Sequence, residues 1–387
     1  MADRTVVTMT TTDDVTPIRV SGPAGLLAVV PTMLGFHPSN SLVLMCLSGG
    51  RRRVGPVARV DLPPGHDRPL AAQLTSHALH HADEVVVISY QETRRRPPLL
   101  DDLLGALARA GVDVMDAMVV RGGRARPALN AAMERAHPGI PVPDSDDPQV
   151  STLAAAGALA GRGVLADREQ LRHSIAGPTG NRLRLAQHSV SDAVAGRLPV
   201  HNRTAGQARP GRPTADRARP GPPAAVATTT VTDQALSEHV LCVGPMPPEV
   251  AAVLDLAFTQ LSAGGEVEVE VATALAVLMT DVLIRDAVLT QGLMELDRPW
   301  VPMLISCATW TPGPLAPALC SVLAMVAYRH GDGALAQVAV DRCLLAEPEH
   351  GLAQLMIAIM SSGIHPDELE RIAHDEVRID DLDPDWS

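Results

Sequence analysis

Residues 84–120, EVVVISYQETRRRPPLLDDLLGALARAGVDVMDAMVV, decide the fold class of this chain. The stretch predicts a buried strand over 84–90, a helix over 98–111 and a second strand over 114–120. A strand, a helix and a strand in succession are typical of an α/β sheet whose core is partly parallel. The sequence therefore predicts an α/β domain in this part of the chain.

Further patterns extend this domain on both sides. Strands over 41–47 and 54–61 flank Gly49-Gly50 and predict a β-hairpin. A short strand over 17–20 leads through Ser21, which suits an N-cap, into a helix that stops near Pro31. The other elements that we predict are a helix over 68–82, a proline-containing loop over 122–148, and helices over 149–161, 167–176 and 181–196.

A linker separates the α/β domain from a helical region. Residues 201–230 contain no Leu, Ile, Met or aromatic residue but hold five Arg and five Pro, so they cannot bury a core. The pattern beyond the linker is almost wholly helical, with helices predicted over 247–262, 268–290, 298–308, 315–330, 333–346 and 350–362. We predict a disordered tail over 1–15, a mixed α/β domain over 16–198, a flexible linker over 199–230, an all-α bundle over 231–376 and an acidic tail over 377–387.

The absence of lysine excludes several chemistries. All 32 basic residues are arginine, which rules out a Walker-type phosphate loop, Schiff-base chemistry and a Ser–Lys dyad. Aromatic residues make up only 2% of the chain, which argues against stacking platforms for single-stranded nucleic acid. The composition therefore gives no support to a nucleotide-hydrolysing or single-strand-binding protein.

The distribution of charge limits the kinds of partner that the chain can bind, and the cysteines indicate its cellular compartment. Residues 1–228 carry 26 Arg against 20 acids, whereas residues 229–387 carry 6 Arg against 24 acids. The acidic half should repel nucleic acid, and the basic excess in the first half is too modest for a dedicated DNA-binding face. Five cysteines without a C-x-x-C pair, a polar N-terminus and the lack of a long apolar stretch predict a soluble cytoplasmic protein with reduced thiols and no membrane span.

Two stretches resemble a known family. The first is IRVSGPAGLLAVVPTMLGFHPSNSLVLMCL, followed by VARVDLPP, and the second is LIRDAVL, followed by VAYRHGDGALAQVAVDRCLLAEP. Together they are similar to the actinobacterial domain-of-unknown-function family numbered 4192, and the lysine-free composition suits a GC-rich genome of that kind. The resemblance covers both halves of the chain and implies no particular activity. The segment RGGRARPALNAAMERAHPG departs from the family's pattern, because it carries neither aromatic residues nor cysteines.

Polar residues around the predicted hairpin suggest a ligand pocket. His37 and Ser41 lie on the loop that enters the first hairpin strand, and Arg59 and Asp61 lie two apart on the second strand, so the latter two share a face. A histidine, a carboxylate and a hydroxyl are the components of nucleophilic catalysis. The alternative is an ordinary ion pair on one strand face together with turn chemistry.

Two other groups favour structural roles. His77 and His81 are four apart on a predicted helix, as two metal ligands would be, but no Glu lies between them and histidines suit a helix C-terminus. We therefore predict no metal site. Gly177–Arg182 has the composition of a phosphate loop, yet a helix end followed by a new helix start explains the segment.

The helical region carries candidates for structure or interaction. Asp281, Arg285 and Asp286 lie on one apolar helix. Asp281 and Arg285 are spaced as an i, i+4 pair, but we favour the alternative that Arg285 is buried between helices and ties two of them together. Residues 317–348 resemble one tetratricopeptide-type hairpin with Gly331 and Asp332 at the turn, although Tyr328 stands one place late. The alternative is an ordinary antiparallel helix pair, because a lone repeat cannot bury its own faces.

These observations predict a non-catalytic adaptor or regulatory protein that acts through its helical domain and uses no cofactor. The expected partner is a protein, and the strongly acidic helical half favours a basic one. The alternative is an enzyme or a small-ligand sensor with a pocket near His37, Ser41, Arg59 and Asp61.

Overall fold

The computed structural model describes residues 6–9, 18–49, 52–159, 163–196 and 246–362, together with residues 364, 366 and 369. The linker and the acidic tail lie outside these residues, so both stay predictions. The chain divides into two compact units. The sheet unit holds the described residues up to Ala176 with Ala327–Asp341 and Ile359–Leu369, and the helical unit holds those of Gly177–Val326 and Arg342–Ala358.

The described residues of the sheet unit form an eight-stranded mixed sheet, which confirms the predicted α/β class. The strands are β1 (Val6–Met9), β2 (Ile18–Ser21), β3 (Ser41–Ser48), β4 (Arg53–Asp61), β5 (Glu84–Tyr90), β6 (Asp113–Arg121), β7 (Arg124–Pro127) and β8 (Ile140–Pro141). Their order is β2-β1-β4-β3-β5-β6-β7-β8. The pairs β5/β6 and β1/β4 are parallel, and the other neighbouring strands are antiparallel.

Two segments that were predicted to lack regular structure contain strands. Residues 6–9 of the predicted tail form β1, which lies between β2 and β4. The predicted loop over 122–148 contains β7, a short helix and β8. Both predictions were wrong at these positions because each strand is only two to four residues long, which is too short for a clear alternating pattern.

Six described helices accompany the sheet: α1 (Gly22–Leu34), α2 (Arg68–His81), α3 (Pro98–Ala110), α4 (Ala131–Ala136), α5 (Pro148–Leu159) and α6 (Arg168–Ser174). The predicted stop of α1 near Pro31 is wrong, because the helix continues to Leu34. A proline inside a helix removes one hydrogen bond, and the burial of Leu26, Leu27 and Leu34 compensates for that loss. The helix ends where Gly35 adopts a left-handed φ of 74°.

One face of the sheet packs against α2 and α3. Alternate residues of β3 and β5, such as Leu42 and Val87, point to this face and meet Leu74 of α2 and Leu103 of α3. Each fully buried side chain of this size contributes about 1.5–3 kcal/mol to folding. The residues between them, including Ser41 and Val43, therefore point to the opposite face.

The helical unit is all-α among its described residues, as predicted. Its helices are α7 (Gly180–Val194), α8 (Pro248–Ser262), α9 (Val269–Leu278), α10 (Val282–Met294) and α11 (Trp300–Trp310), with parts of α12 (Ala316–Arg329), α13 (Gly333–Ala346) and α14 (Gly351–Ser362). The single helix predicted over 268–290 is wrong, since it divides into α9 and α10. The break occurs where the Asp281 side chain accepts a hydrogen bond from the Leu283 N–H and caps α10.

Trp300 lies at the centre of the helical unit. Its side chain is fully buried, its indole N–H donates to Glu295 at 3.2 Å, and its ring meets Phe258 edge-on at a centroid distance of 5.0 Å.

Helix α7, which the sequence placed in the domain over 16–198, belongs to the helical unit. It packs against α9, where Ser189 and Thr273 share a buried 2.6 Å hydrogen bond. The predicted boundaries at 198 and 231 lie outside the described residues and stay predictions.

Two further predictions concern the state of the cysteines and the presence of a membrane span. The four cysteines within the described ranges are buried and free, while Cys242 lies outside those ranges. Among the described helices, none combines the length and the apolarity that crossing a bilayer requires.

Candidate ligand site

Three of the four predicted pocket residues project from the same face of the sheet. The register pairs Ser41 of β3 with Asp61 of β4, and it pairs Val43 with Arg59. Paired residues of antiparallel strands point to the same side. Ser41, Arg59 and Asp61 thus lie on the face opposite the α2 and α3 core.

Arg59 and Asp61 belong to a chain of alternating charges, which we call the arginine cluster: Arg59, Asp61, Arg168, Arg172 and Asp341. The Arg59 guanidinium lies 2.6 Å from the Asp61 carboxylate. Arg168 lies 3.4 Å from Asp61 on one side and 3.3 Å from Asp341 on the other. Arg172 lies 3.8 Å from Asp341. Arg172 also lies 3.4 Å from the Glu169 carboxylate, so three guanidinium groups here face three carboxylates.

Helices α6 and α13 position the other members of the cluster, Arg168, Arg172 and Asp341. The Asp167 side chain caps α6 by accepting from the Gln170 N–H at 2.8 Å. Arg168 and Arg172 follow at i, i+4 and therefore share one face of α6. Asp341 lies on α13, where its carboxylate also accepts a hydrogen bond from Gln337 at 2.9 Å.

Burial strengthens the electrostatics of the cluster. The Arg59 side chain is only 12% exposed, whereas Asp61 is 68% exposed. Burial lowers the pKa of Arg168, and the nearby Arg59 charge lowers it further, while Asp341 opposes the shift. Arg168 remains charged at neutral pH, because an arginine does not lose its proton in a protein. A lowered pKa here means that an additional anion would stabilise the charged form.

Two buried polar atoms on this face have no hydrogen-bond partner among the described residues. These atoms are the Ser41 Oγ, in a side chain that is fully buried, and the Arg59 Nε. The Arg59 guanidinium also lies over the Phe36 ring, 5.9 Å from its centroid. An unsatisfied buried donor costs about 1–3 kcal/mol. A bound acceptor at this position would recover that free energy.

His37 stands apart from the other predicted pocket residues. Its backbone N–H donates to the Leu165 carbonyl at 3.1 Å, next to the bridge between Phe36 and Leu165. Its side chain is exposed, and within the described ranges it joins no hydrogen bond or ion pair. Ser41, Arg59 and Asp61 thus share one face of the sheet, and among the described residues the His37 side chain forms no hydrogen bond or ion pair with them.

The sequence of the chain is similar to a known protein family. The family model described as a domain of unknown function (DUF4192) matches residues 23–367. The chain belongs to the DUF4192 family. The match spans β3, β4, α6 and α13, which together carry the arginine cluster of this DUF4192 chain. Searches of curated proteins and of solved structures found no match.

Sequence reasoning missed Arg168, Arg172 and Asp341. Arg168 is 107 residues from Asp61 and 173 residues from Asp341 along the chain. The local signal was the N-cap Asp167 followed by two arginines at i, i+4, which fixes their common face but not what that face meets.

Two histidine rings of α2 lie against each other at a tilt of 49°. The His77 and His81 ring centroids lie 4.8 Å apart. Burial lowers the pKa of His77 to about 4, and His81 and His80 lower it further. In the part of the chain that the structure describes, no three or more His, Cys, Asp or Glu side chains are arranged to hold a metal ion.

The side chains of Asp281 and Arg285 have different partners. Asp281 caps α10, and the Arg285 Nε and Nη2 both donate to the Oδ1 of Asp286, at 2.9 Å and 2.8 Å. Asp286 is almost fully buried, so its carboxylate requires this neighbour. The capping position satisfies a helix N–H that would otherwise lack a partner, which explains why Asp281 does not pair with Arg285.

Tyr328 and Asp332 organise the turn between α12 and α13. Gly331 has a left-handed φ of 76°, and the Asp332 side chain accepts from the Leu335 N–H at 2.9 Å. The Tyr328 hydroxyl donates to the Ile364 carbonyl at 2.7 Å. The Cys343 thiol lies 3.5 Å from the Pro317 carbonyl, as expected of two antiparallel helices. Whether this hairpin is a tetratricopeptide unit stays a prediction.

Proposed function

We propose that this DUF4192 protein is a regulatory protein that binds a small anion at the arginine cluster. The observation that carries the proposal is the Arg59 Nε, which is buried beside a guanidinium-rich cluster without an acceptor among the described residues. Arginine binds carboxylates and phosphates through paired N–H donors. An oxyanion would accept a hydrogen bond from Arg59 and would recover the free energy that its unpartnered Nε costs.

The chemistry of the cluster supports binding rather than reaction. A serine nucleophile requires a base within hydrogen-bond reach, and the Ser41 Oγ has no such partner in the described residues. The nearest buried thiol on β3, Cys46, is a poor nucleophile because burial raises its pKa to about 12. Ser41 is instead suited to donate a hydrogen bond to a bound anion.

Calorimetric titration of the full-length chain with phosphate, sulfate and succinate tests the proposal. We expect at least one anion to bind and to raise the melting temperature as its concentration rises. Arg59→Gln should abolish this response. Arg53→Gln, at an exposed position on the same strand, is the matched control and should retain it. No response to any of the anions, or an equal response in Arg59→Gln, would contradict the proposal.

A second candidate function is that of an adaptor that binds a basic protein through the helical unit. The described residues of the helical unit, 177–196, 246–326 and 342–358, carry twelve acids against five arginines, and Leu345 on α13 is 87% exposed. An acidic field speeds encounter with basic partners, and an exposed leucine offers an apolar contact. The lysine-free composition and the reduced cysteines support action in the cytoplasm of an actinobacterium.

The adaptor function is tested with the immobilised full-length chain. Defined proteins recovered from lysate at low salt should be released at about 0.5 M salt, where screening leaves only a few Å of electrostatic reach. Leu345→Ser should reduce their recovery, and Leu79→Ser, at an exposed leucine of the sheet unit, should not. If the amount of protein recovered changes neither with salt nor with Leu345→Ser, the adaptor function is contradicted.

A further inference from the structure

A second charged surface lies at the edge of the sheet where the parallel strands β5 and β6 end. Segments 92–96 and 121–135 follow these strands and contain seven arginines but only two glutamates. We call this surface the arginine edge, made of the loop after β5, the β6–β7 turn and α4. It lies within the sheet unit.

Arg96 anchors the loop after β5. Its guanidinium donates to Asp101 at 2.8 Å, to Glu134 at 3.0 Å and to the Ala128 carbonyl at 2.8 Å. Arg121 of β6 donates to the carbonyls of Thr93 and Arg94, at 3.4 Å and 3.3 Å. The loop is therefore held against β6 and α4, and its exposed arginines are presented at a fixed place.

Of the two glutamates of this surface, Glu134 is already paired, whereas Glu92 is exposed and forms no ion pair among the described residues. Glu134 is only 9% exposed and lies between Arg96 and Arg121, at 3.0 Å and 3.6 Å. Arg124 donates to the Pro138 and Gly139 carbonyls, which leave its charge uncompensated. The other five arginines of the edge form no ion pair with any carboxylate of the described residues. They are Arg94, Arg95, Arg124, Arg126 and Arg135.

Two exposed apolar side chains accompany these charges. Leu129, immediately before α4, is 45% exposed, and Met133 on α4 is 42% exposed. They are four residues apart, with Asn130 between them capping α4 through its side chain. Apolar side chains among unpaired arginines are typical of surfaces that bind other proteins.

We propose that the arginine edge is a docking surface for an acidic protein segment that also carries apolar side chains. Carboxylates of the partner would meet Arg94, Arg95 and Arg126, and its apolar residues would cover Leu129 and Met133. This proposal is independent of the anion site at the arginine cluster. Single-stranded nucleic acid is a less suitable occupant, because residues 91–137 contain no Phe, Tyr or Trp on which a base could stack, and a duplex backbone offers no apolar groups to cover Leu129 and Met133.

Fluorescence anisotropy of the full-length chain with three labelled probes tests this surface. The probes are a peptide of Glu and Leu, a poly-glutamate peptide and a short DNA duplex. We expect the Glu/Leu peptide to bind most tightly and the binding to weaken as salt rises. The double variant Arg94→Ala/Arg95→Ala should weaken it about tenfold or more, and Leu129→Ser/Met133→Ser should weaken the Glu/Leu peptide but not poly-glutamate.

The matched control is Arg68→Ala/Arg109→Ala, which removes two exposed arginines from α2 and α3 and should leave the binding unchanged. Thermal melts of each variant establish that it is folded. The proposal is overturned if the Glu/Leu peptide does not bind, if the control weakens it as much as the Arg94/Arg95 variant, or if the DNA duplex binds more tightly through the same arginines.

Discussion

At the scale of a single residue, a variant of Ser41 distinguishes a structural role of its hydroxyl from a role in binding. Its hydroxyl is fully buried and has no partner among the described residues. Removing such a group relieves its desolvation cost, so Ser41→Ala should lower the free energy of unfolding by no more than about 1 kcal/mol and can raise it. The same variant should weaken anion binding, because it removes a donor from the site.

Ser89 provides the matched control for Ser41 in urea unfolding experiments. It is equally buried, but its hydroxyl accepts a 3.2 Å hydrogen bond from Gln91. Ser89→Ala should therefore lower the free energy of unfolding by about 1–3 kcal/mol. If Ser41→Ala destabilises the fold as strongly as Ser89→Ala, Ser41 is a structural residue and not a ligand contact.

His77 makes the stability of the chain sensitive to acid. Its pKa falls from 6.5 to about 4 in the folded state, first through burial and then through His81 and His80. Between these pH values the unfolded state holds more protons, so the contribution of His77 to stability is lost as the pH falls. We expect His77→Leu to flatten the decline of the melting temperature between pH 7 and pH 4.5. The exposed His173 is the control, and if His173→Gln has the same effect, the assignment to His77 is wrong.

Arg342 shows at the scale of an element how a side chain ends a helix. Its guanidinium donates to the Ala308 carbonyl of α11 at 2.9 Å and to the Thr311 carbonyl at 2.7 Å. A Cβ on Gly177 would lie 2.9 Å from the Arg342 Nη2 and 3.2 Å from the Thr311 oxygen. Gly177→Ala should therefore displace this cap and lower the free energy of unfolding by about 1–3 kcal/mol.

Gly313 is the matched glycine for this experiment. A Cβ there would meet nothing within 4 Å, so Gly313→Ala should be neutral or should stabilise the fold by up to about 1 kcal/mol. Chemical unfolding of both variants distinguishes local crowding from the general effect of losing a glycine. Equal changes in the two would show that Gly177 is not needed for the approach of Arg342.

The elements were predictable where a local pattern fixes them. The hairpin of β3 and β4 follows from apolar runs on either side of Gly49, and the β5–α3–β6 unit follows from its change of period. The break before α10 was missed because apolar residues continue across it, although Asp281 is a suitable N-cap. In the candidate site, the period of β4 predicted that Arg59 and Asp61 share a face, whereas Arg168 and Asp341 arrive through tertiary contacts that no local pattern specifies.

At the scale of the whole molecule, the linker predicted from residues 199–230 is open to a direct test. Trypsin cleaves this chain only after arginine, because it contains no lysine. Exposed segments without a core are the first to be cut. We expect the earliest cuts in limited digestion to fall at Arg203, Arg209, Arg212, Arg217 or Arg219. First cuts within 40–120 or 270–340 would contradict a two-domain organisation.

The position of β1 has a consequence for how the start of the chain can be altered. Val6–Met9 pairs with β2 on one side and with β4 on the other. Deleting residues 1–15 would remove this strand and uncover backbone groups of Arg53 and Val54, which could then recruit a strand from another molecule. We expect the deletion to cause aggregation that light scattering detects, and a chain that remains monomeric would show that β4 tolerates a free edge. Aggregation of the deletion variant would show that β1 acts as a guard against self-association.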